Sequence, residues 1–131
     1  MVLDASAIIA ILAMEDDAAS LAARLARVGS ARVSAVAIYE ASVGLARIGN
    51  VSATDALYIV ETFLTEVNAI VIPIDATTAR EALSAFSRFG KGRHPAALNM
   101  GDCFAYACAR LAGEPLLCKG NDFPRTDLKL A

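Results

Sequence analysis

Four carboxylates in this chain stand where a charge has no obvious partner. Asp4 is the only charged side chain in the opening "MVLDASAIIAILAM". Glu40 is the only charge between Arg32 and Arg47, and Asp102 is the only one between His94 and Arg110. Asp122 lies in "GNDF", just beyond the apolar "PLLC". Carboxylates are rarely buried unless they are paired, hydrogen-bonded or bound to a metal.

Each acid also has a plain structural explanation to weigh. Asp4 could be a turn or cap residue, Asp102 after Gly101 suits a helix N-cap, and Asp122 in "GND" suits a turn. Glu40 fits neither role. Its helical neighbours at three and four residues are Val36, Ala37, Val43 and Gly44, a small and apolar face without a base. If the fold gathers the four, their repulsion must be relieved by protonation or by a hard divalent cation. An all-oxygen set suits Mg²⁺ or Mn²⁺, which keep several waters. Such an ion can acidify a water and steady an oxygen leaving a phosphate, so the chemistry indicated is phosphodiester hydrolysis.

The elements that must position these acids alternate between strand and helix. "VL" reads as a short strand, with Ser6 able to cap a helix over Ala7 to Met14. "EDDAASLAARLARVG" reads as a second helix and "ARVSAV" as a second strand leading into a helix from Ala37 to Ile48. Ser52 caps a helix with an apolar stripe at Leu57, Val60, Phe63, Leu64 and Val67. "AIVIPI" is continuous and β-branched, as expected of a strand covered on both faces. Asp75 opens a helix ending at Gly90, another runs from Asp102 to about Leu111, "PLLCK" is a fourth strand, and "LKLA" offers a fifth. This pattern predicts an α/β domain with a mainly parallel sheet and helices on both faces. In such sheets function collects at the carboxyl ends of the strands, which would place Asp4 and Asp122 on one edge.

The chain has 131 residues and no internal repeat or linker, so the expectation is a single domain over 1–131. The uncharged run Ala5 to Met14 is ten residues long, against roughly 20 for a membrane-spanning helix. It also makes a poor signal peptide, so the expected location is cytoplasmic. Cys103, Cys108 and Cys118 lack metal or disulfide spacing and read as buried small hydrophobes, and His94 alone cannot build a zinc centre. The formal charge is −2, but setting the four acids aside leaves +2. Between Ala76 and Gly101 the charged residues are Arg80, Glu81, Arg88, Lys91 and Arg93. That local excess of base makes Lys91, Arg93 and His94 candidates for holding phosphates, with a plain solvated loop as the alternative.

The whole length resembles the PIN-domain ribonucleases, in particular VapC-type toxins of toxin–antitoxin pairs. The resemblance rests on "VLDASA", on Glu40 within "VSAVAIYEA", on "GKGRHPAALNMGDCFAYACA" and on "PLLCKGNDFPRTDL". It implies a PIN-like three-layer sandwich, with a mainly parallel five-stranded sheet, and a homodimer. The family's acidic quartet falls on Asp4, Glu40, Asp102 and Asp122, all offered as catalytic and metal-binding. Its small hydroxyl falls on Ser6 and the polar neighbour of its last acid on Asn121, both offered as orienting residues. It also implies a Mg²⁺-dependent endoribonuclease, with Mn²⁺ as substitute, in which a metal-activated water attacks the phosphorus. The products would be a 3′-hydroxyl and a 5′-phosphate, and a VapB-type antitoxin would hold the enzyme inactive.

Other readings stay open on sequence alone. These are a PIN nuclease of RNA processing that is not a toxin, and a non-catalytic dimeric module holding a structural metal. An acidic-pocket phosphatase or phosphorelay receiver is disfavoured, because Ser6 stands where a D-x-D motif needs its second acid.

Overall fold

A computed structural model describes residues 1–131. Its elements are β1 (Val2–Leu3), α1 (Ala5–Leu12), α2 (Ala18–Leu25), β2 (Arg32–Ser34), α3 (Ala35–Gly49), α4 (Ala53–Glu66), β3 (Ile70–Ile72), α5 (Ala76–Phe89), α6 (Met100–Ala112) and β4 (Leu116–Leu117). A 3₁₀ turn over Phe123–Arg125 follows. The strands form one parallel sheet in the order β3-β2-β1-β4. Val2 pairs with Arg32 on one side and Leu116 on the other, so β1 is central.

Alternation along these short strands divides the core. Leu3, Val33 and Leu117 face one apolar cluster with α1, α2, α3 and α4, while Val2 and Leu116 face another with α5 and α6. Both faces of the sheet are therefore covered at β1 and β4. On the first side Gly44 of α3 lies against Ile9 of α1, where an added methyl would collide with the Ile9 side chain. That close approach brings α3, and Glu40 with it, toward the end of β1.

Three expectations need correction. The fifth strand is reduced to one parallel bridge between Leu130 and Leu116, because β4 is only two residues long and offers little backbone to pair with. The sheet is thus four-stranded. Next, β3 is not covered on both faces. It is an edge strand paired only with β2, and Ile70 and Val71 are 52% and 56% exposed. An apolar β-branched run has the same composition at an edge as at a centre, and only its neighbours tell them apart. Last, the caps shift. α1 starts at Ala5 with Asp4 as its N-cap, and α6 starts at Met100 with Asn99 as its N-cap. Elsewhere the caps at Ser52 and Asp75 stand as read, and Cys103 and Cys108 are buried and unbonded.

Candidate active site

Asp4 emerges from β1 into the first turn of α1 and is only 4% exposed. Its backbone N–H donates to the Leu117 carbonyl at 3.0 Å, which ties it to β4. The Ser6 N–H donates to Asp4 Oδ2 at 2.9 Å, and the Ser6 hydroxyl donates to the same oxygen. Ser6 Oγ in turn accepts the Lys119 backbone N–H at 2.9 Å. Asp4 is therefore a cap after all. Yet capping uses one oxygen, and Oδ1 has no hydrogen-bond partner.

Asp102 sits in the first turn of α6, where helical N–H groups favour an anion. It forms a capping box with Asn99: Asn99 Oδ1 accepts the Asp102 N–H at 2.9 Å, and Asp102 Oδ2 accepts the Asn99 N–H at 2.8 Å. Glu40 projects from the middle of α3 toward that same turn. A methyl group on Gly101 would collide with both Glu40 oxygens, so α6 can approach this carboxylate only because residue 101 has no side chain. Asp122 is exposed at the head of the 3₁₀ turn, and its side chain caps nothing.

The carboxylates sense one another. Burial pushes the Asp4 carboxyl above its ordinary range against the pull of the Ser6 bonds, and Asp122 adds to the rise. Burial raises Glu40 as well, with Asp4 and Asp102 contributing. Asp102 is pushed up to about 6 by burial, opposed by the Asn99 N–H and reinforced by Asp4 and Asp122. None of the four makes an ion pair; the paired acids of this chain are Glu15, Asp17, Glu114 and Asp127.

A family model for the PIN domain matches residues 1–129. The chain belongs to the PIN-domain family. Its relatives include Ribonuclease VapC36 of Mycobacterium tuberculosis, 44% identical over 131 residues that cover 98% of this chain and 91% of the relative. Ribonuclease VapC28 of the same organism is 42% identical over 132 residues, covering 100% and 97%. The VapC ribonuclease R02377 of Rhizobium meliloti is 41% identical over 137 residues, covering 95% and 96%.

The residues of this PIN domain suit a hard divalent cation. The donors are all carboxylate oxygens, three of the acids have their charged form disfavoured, and no lysine or arginine neutralises them. No group of three or more Asp, Glu, His or Cys side chains is drawn into a ready-made ligand set. An ion that binds through one or two carboxylates and keeps its waters does not need one.

The other expected residues fall as follows. Ser6 orients Asp4 by direct hydrogen bonds. Asn121 is exposed and its side chain bonds to nothing. Lys91 and Arg93 are exposed on the loop between α5 and α6. His94 is half-buried, with its ring edge-on to Phe89 and Nδ1 accepting the Ala96 N–H at 3.1 Å, which staples that loop.

Sequence reasoning missed three contributors. Asn99 was legible as N-x-x-D ahead of a helix, a capping-box spacing. Gly101 was not, because its role depends on α3 arriving from the other side. Lys119 contributes a backbone amide to Ser6, while its ammonium pairs with Glu15 and with Asp17 Oδ1 at 3.0 Å. Those two pairs hold the segment leading to Asp122 against the corner between α1 and α2.

Proposed function

We propose that this chain, acting as one PIN domain over 1–131, is a Mg²⁺-dependent endoribonuclease and the toxin of a toxin–antitoxin pair. The observation that carries the proposal is the unneutralised quartet: Asp4, Glu40 and Asp102 are desolvated, they feel one another and Asp122, and no basic side chain answers them. The VapC ribonucleases at 41–44% identity over nearly the full length give the quartet its reaction.

Asp4 and Asp102 would hold Mg²⁺, or Mn²⁺ in its place, with Glu40 and Asp122 completing the site directly or through water. When bound, the ion supplies positive charge that acidifies a water and steadies the charge developing on the phosphate. The chain's own side chains do the rest. Ser6 holds the Asp4 carboxylate through Oδ2 and leaves Oδ1 without a hydrogen bond. Asn99 fixes Asp102 in the same way. Glu40, whose charged form is disfavoured by burial and by two acids, is suited to accept a proton from the attacking water. The new bond joins that water oxygen to phosphorus, and the P–O3′ bond breaks as the 3′-oxygen takes up a proton. The ends are a 3′-hydroxyl and a 5′-phosphate. Asn121, next to the exposed Asp122, would orient that carboxylate once the ion is bound. The reading includes a homodimer in the cytoplasm and a VapB-type antitoxin that blocks the acidic site.

The test is cleavage of RNA by the purified chain with Mg²⁺ or Mn²⁺, with the new ends characterised. Asp4→Asn and Asp102→Asn should each lower cleavage by at least about a hundredfold while the fold persists. Wild-type protein that neither binds a divalent cation nor cleaves any RNA would overturn the reading.

A further inference from the structure

An apolar surface with no assigned role lies on the helix that carries Asp102. A cleft of about 320 Å³ opens between α5 and α6, lined by Leu83, Phe86, Leu98, Met100 and Phe104. That volume falls in the range of pockets for small organic groups. Leu83 and Met100 are 65% and 70% exposed, which leaves a contiguous apolar patch in need of an occupant. The rim has one sign of charge. Lys91 borders the cleft, and the Arg93 guanidinium lies over the Phe86 ring at 5.1 Å from its centre. Neither cation has a carboxylate partner.

We propose that this cleft is a base pocket, which takes one unstacked nucleobase of single-stranded RNA while Lys91 and Arg93 hold the neighbouring phosphates. The proposal rests on the ribonuclease reading and adds how the substrate is gripped. Single-stranded RNA is recognised by splaying out bases, stacking them on aromatic rings or guanidinium planes and meeting their polar edges. Phe86, Phe104 and the Arg93 plane provide such surfaces. For the polar edge there is Asn99, which borders the cleft; its Oδ1 is engaged by Asp102, but its amide donates to no group of the protein. The position connects the grip to the chemistry. Asn99, Met100 and Cys103 line the cleft, and Asp102 lies on the same helical turn. A base seated there brings its own phosphate to the edge of the acidic site. RNA supplies both a flat apolar body for the cleft and negative charge for its rim. A second copy of this chain, carrying the same cations in the same place, supplies only the first.

The test uses the full chain with EDTA present, so that binding is read without cleavage, and a labelled single-stranded RNA decamer as probe. With ¹³C-methyl methionine the protein gives three signals, from Met1, Met14 and Met100. RNA should shift Met100 and leave Met1 and Met14 in place. Leu83→Glu, at an exposed position, should weaken RNA binding about tenfold with an unchanged melting temperature. If that variant folds poorly, the methionine spectrum decides alone. RNA that binds without moving Met100, or with equal affinity for Leu83→Glu, overturns the pocket and leaves the nuclease reading standing. So does a Met100 signal that follows protein concentration rather than RNA, for then a second copy fills the cleft. Wild-type protein that neither binds nor cuts RNA overturns both.

Discussion

Two groups of acids in this protein meet opposite fates. Asp127, near the carboxyl end, accepts the Tyr106 hydroxyl at 2.7 Å and pairs with Arg88 at 2.7 Å and Arg110 at 3.6 Å. Those partners hold its carboxyl below the usual range, the Tyr106 bond contributing most. Asp4, Glu40 and Asp102 shift the other way, chiefly through burial and with no cation in reach. The same functional group is a staple where the chain supplies its counter-charge, and a buried, unneutralised acid where it does not. The Asp127 cluster ties the terminal segment to α5 and α6 and asks for nothing more. The charged forms of Asp4, Glu40 and Asp102 cost folding energy that a divalent ion can offset, a pattern that marks functional sites.

The sharpest way to break this contrast is through Gly101. Gly101→Ala places a methyl against the Glu40 carboxylate and must displace it or push α6 away. We expect cleavage of RNA to fall by about a hundredfold, in line with small misplacements of reacting groups, while the Asp127 network is untouched. Steady-state cleavage beside a thermal melt measures both. Activity within twofold of wild type would mean that the position of Glu40 is not critical.

The Asp127 side breaks differently. Asp127→Ala leaves the fully buried Tyr106 hydroxyl without its acceptor and frees two arginines. A stability loss of about 1–2 kcal/mol is expected in denaturant melts, the usual penalty for stranding a buried polar group. Metal affinity and cleavage per folded molecule should not change. A loss of activity beyond the loss of folded protein would show that the two acid groups are coupled.

A divalent ion should separate the groups again. Adding Mg²⁺ or Mn²⁺ is expected to raise the melting temperature of the wild type, since a ligand that binds only the folded state stabilises it. The rise should vanish in Asp4→Asn and persist in Asp127→Ala. Equal rises in all three would place the ion elsewhere.

The isolation of the four acids was legible because it is a one-dimensional property: Glu40 has no base within a helical turn whatever the fold does. The alternation of strands and helices was legible for the same reason, through local periodicity. What the sequence hid was tertiary. The edge position of β3, the near-loss of a fifth strand and the contact of Gly101 with Glu40 depend on which elements become neighbours. The caps were hidden in another way. Asp4 was posed as either cap or ligand, and its two oxygens allow it to be both, with Oδ2 committed to Ser6 and Oδ1 left over.

The smallest expected effect is the most direct measure of the comparison. Without metal, Asp102 binds its proton more tightly in the folded chain, at about 6, than a free aspartate does at 3.8. A raised folded value means that this group's stability is fully present below about pH 3.8 and is lost as pH rises through about 6. Asp127, held low, contributes the opposite slope: its stability is present above the unfolded value and is lost as pH falls through the folded one. Asp102→Asn removes the first slope only, because the amide oxygen can still accept the Asn99 N–H. In EDTA at pH 7.5 this variant should therefore be more stable than wild type by about 1 kcal/mol, a figure reduced for the solvent that reaches the carboxylate. That is roughly 3–5 °C in melting temperature for a chain of this size. The advantage should fade toward pH 4.5. A variant no more stable than wild type at pH 7.5 would mean that burying the Asp102 charge carries no cost for an ion to relieve.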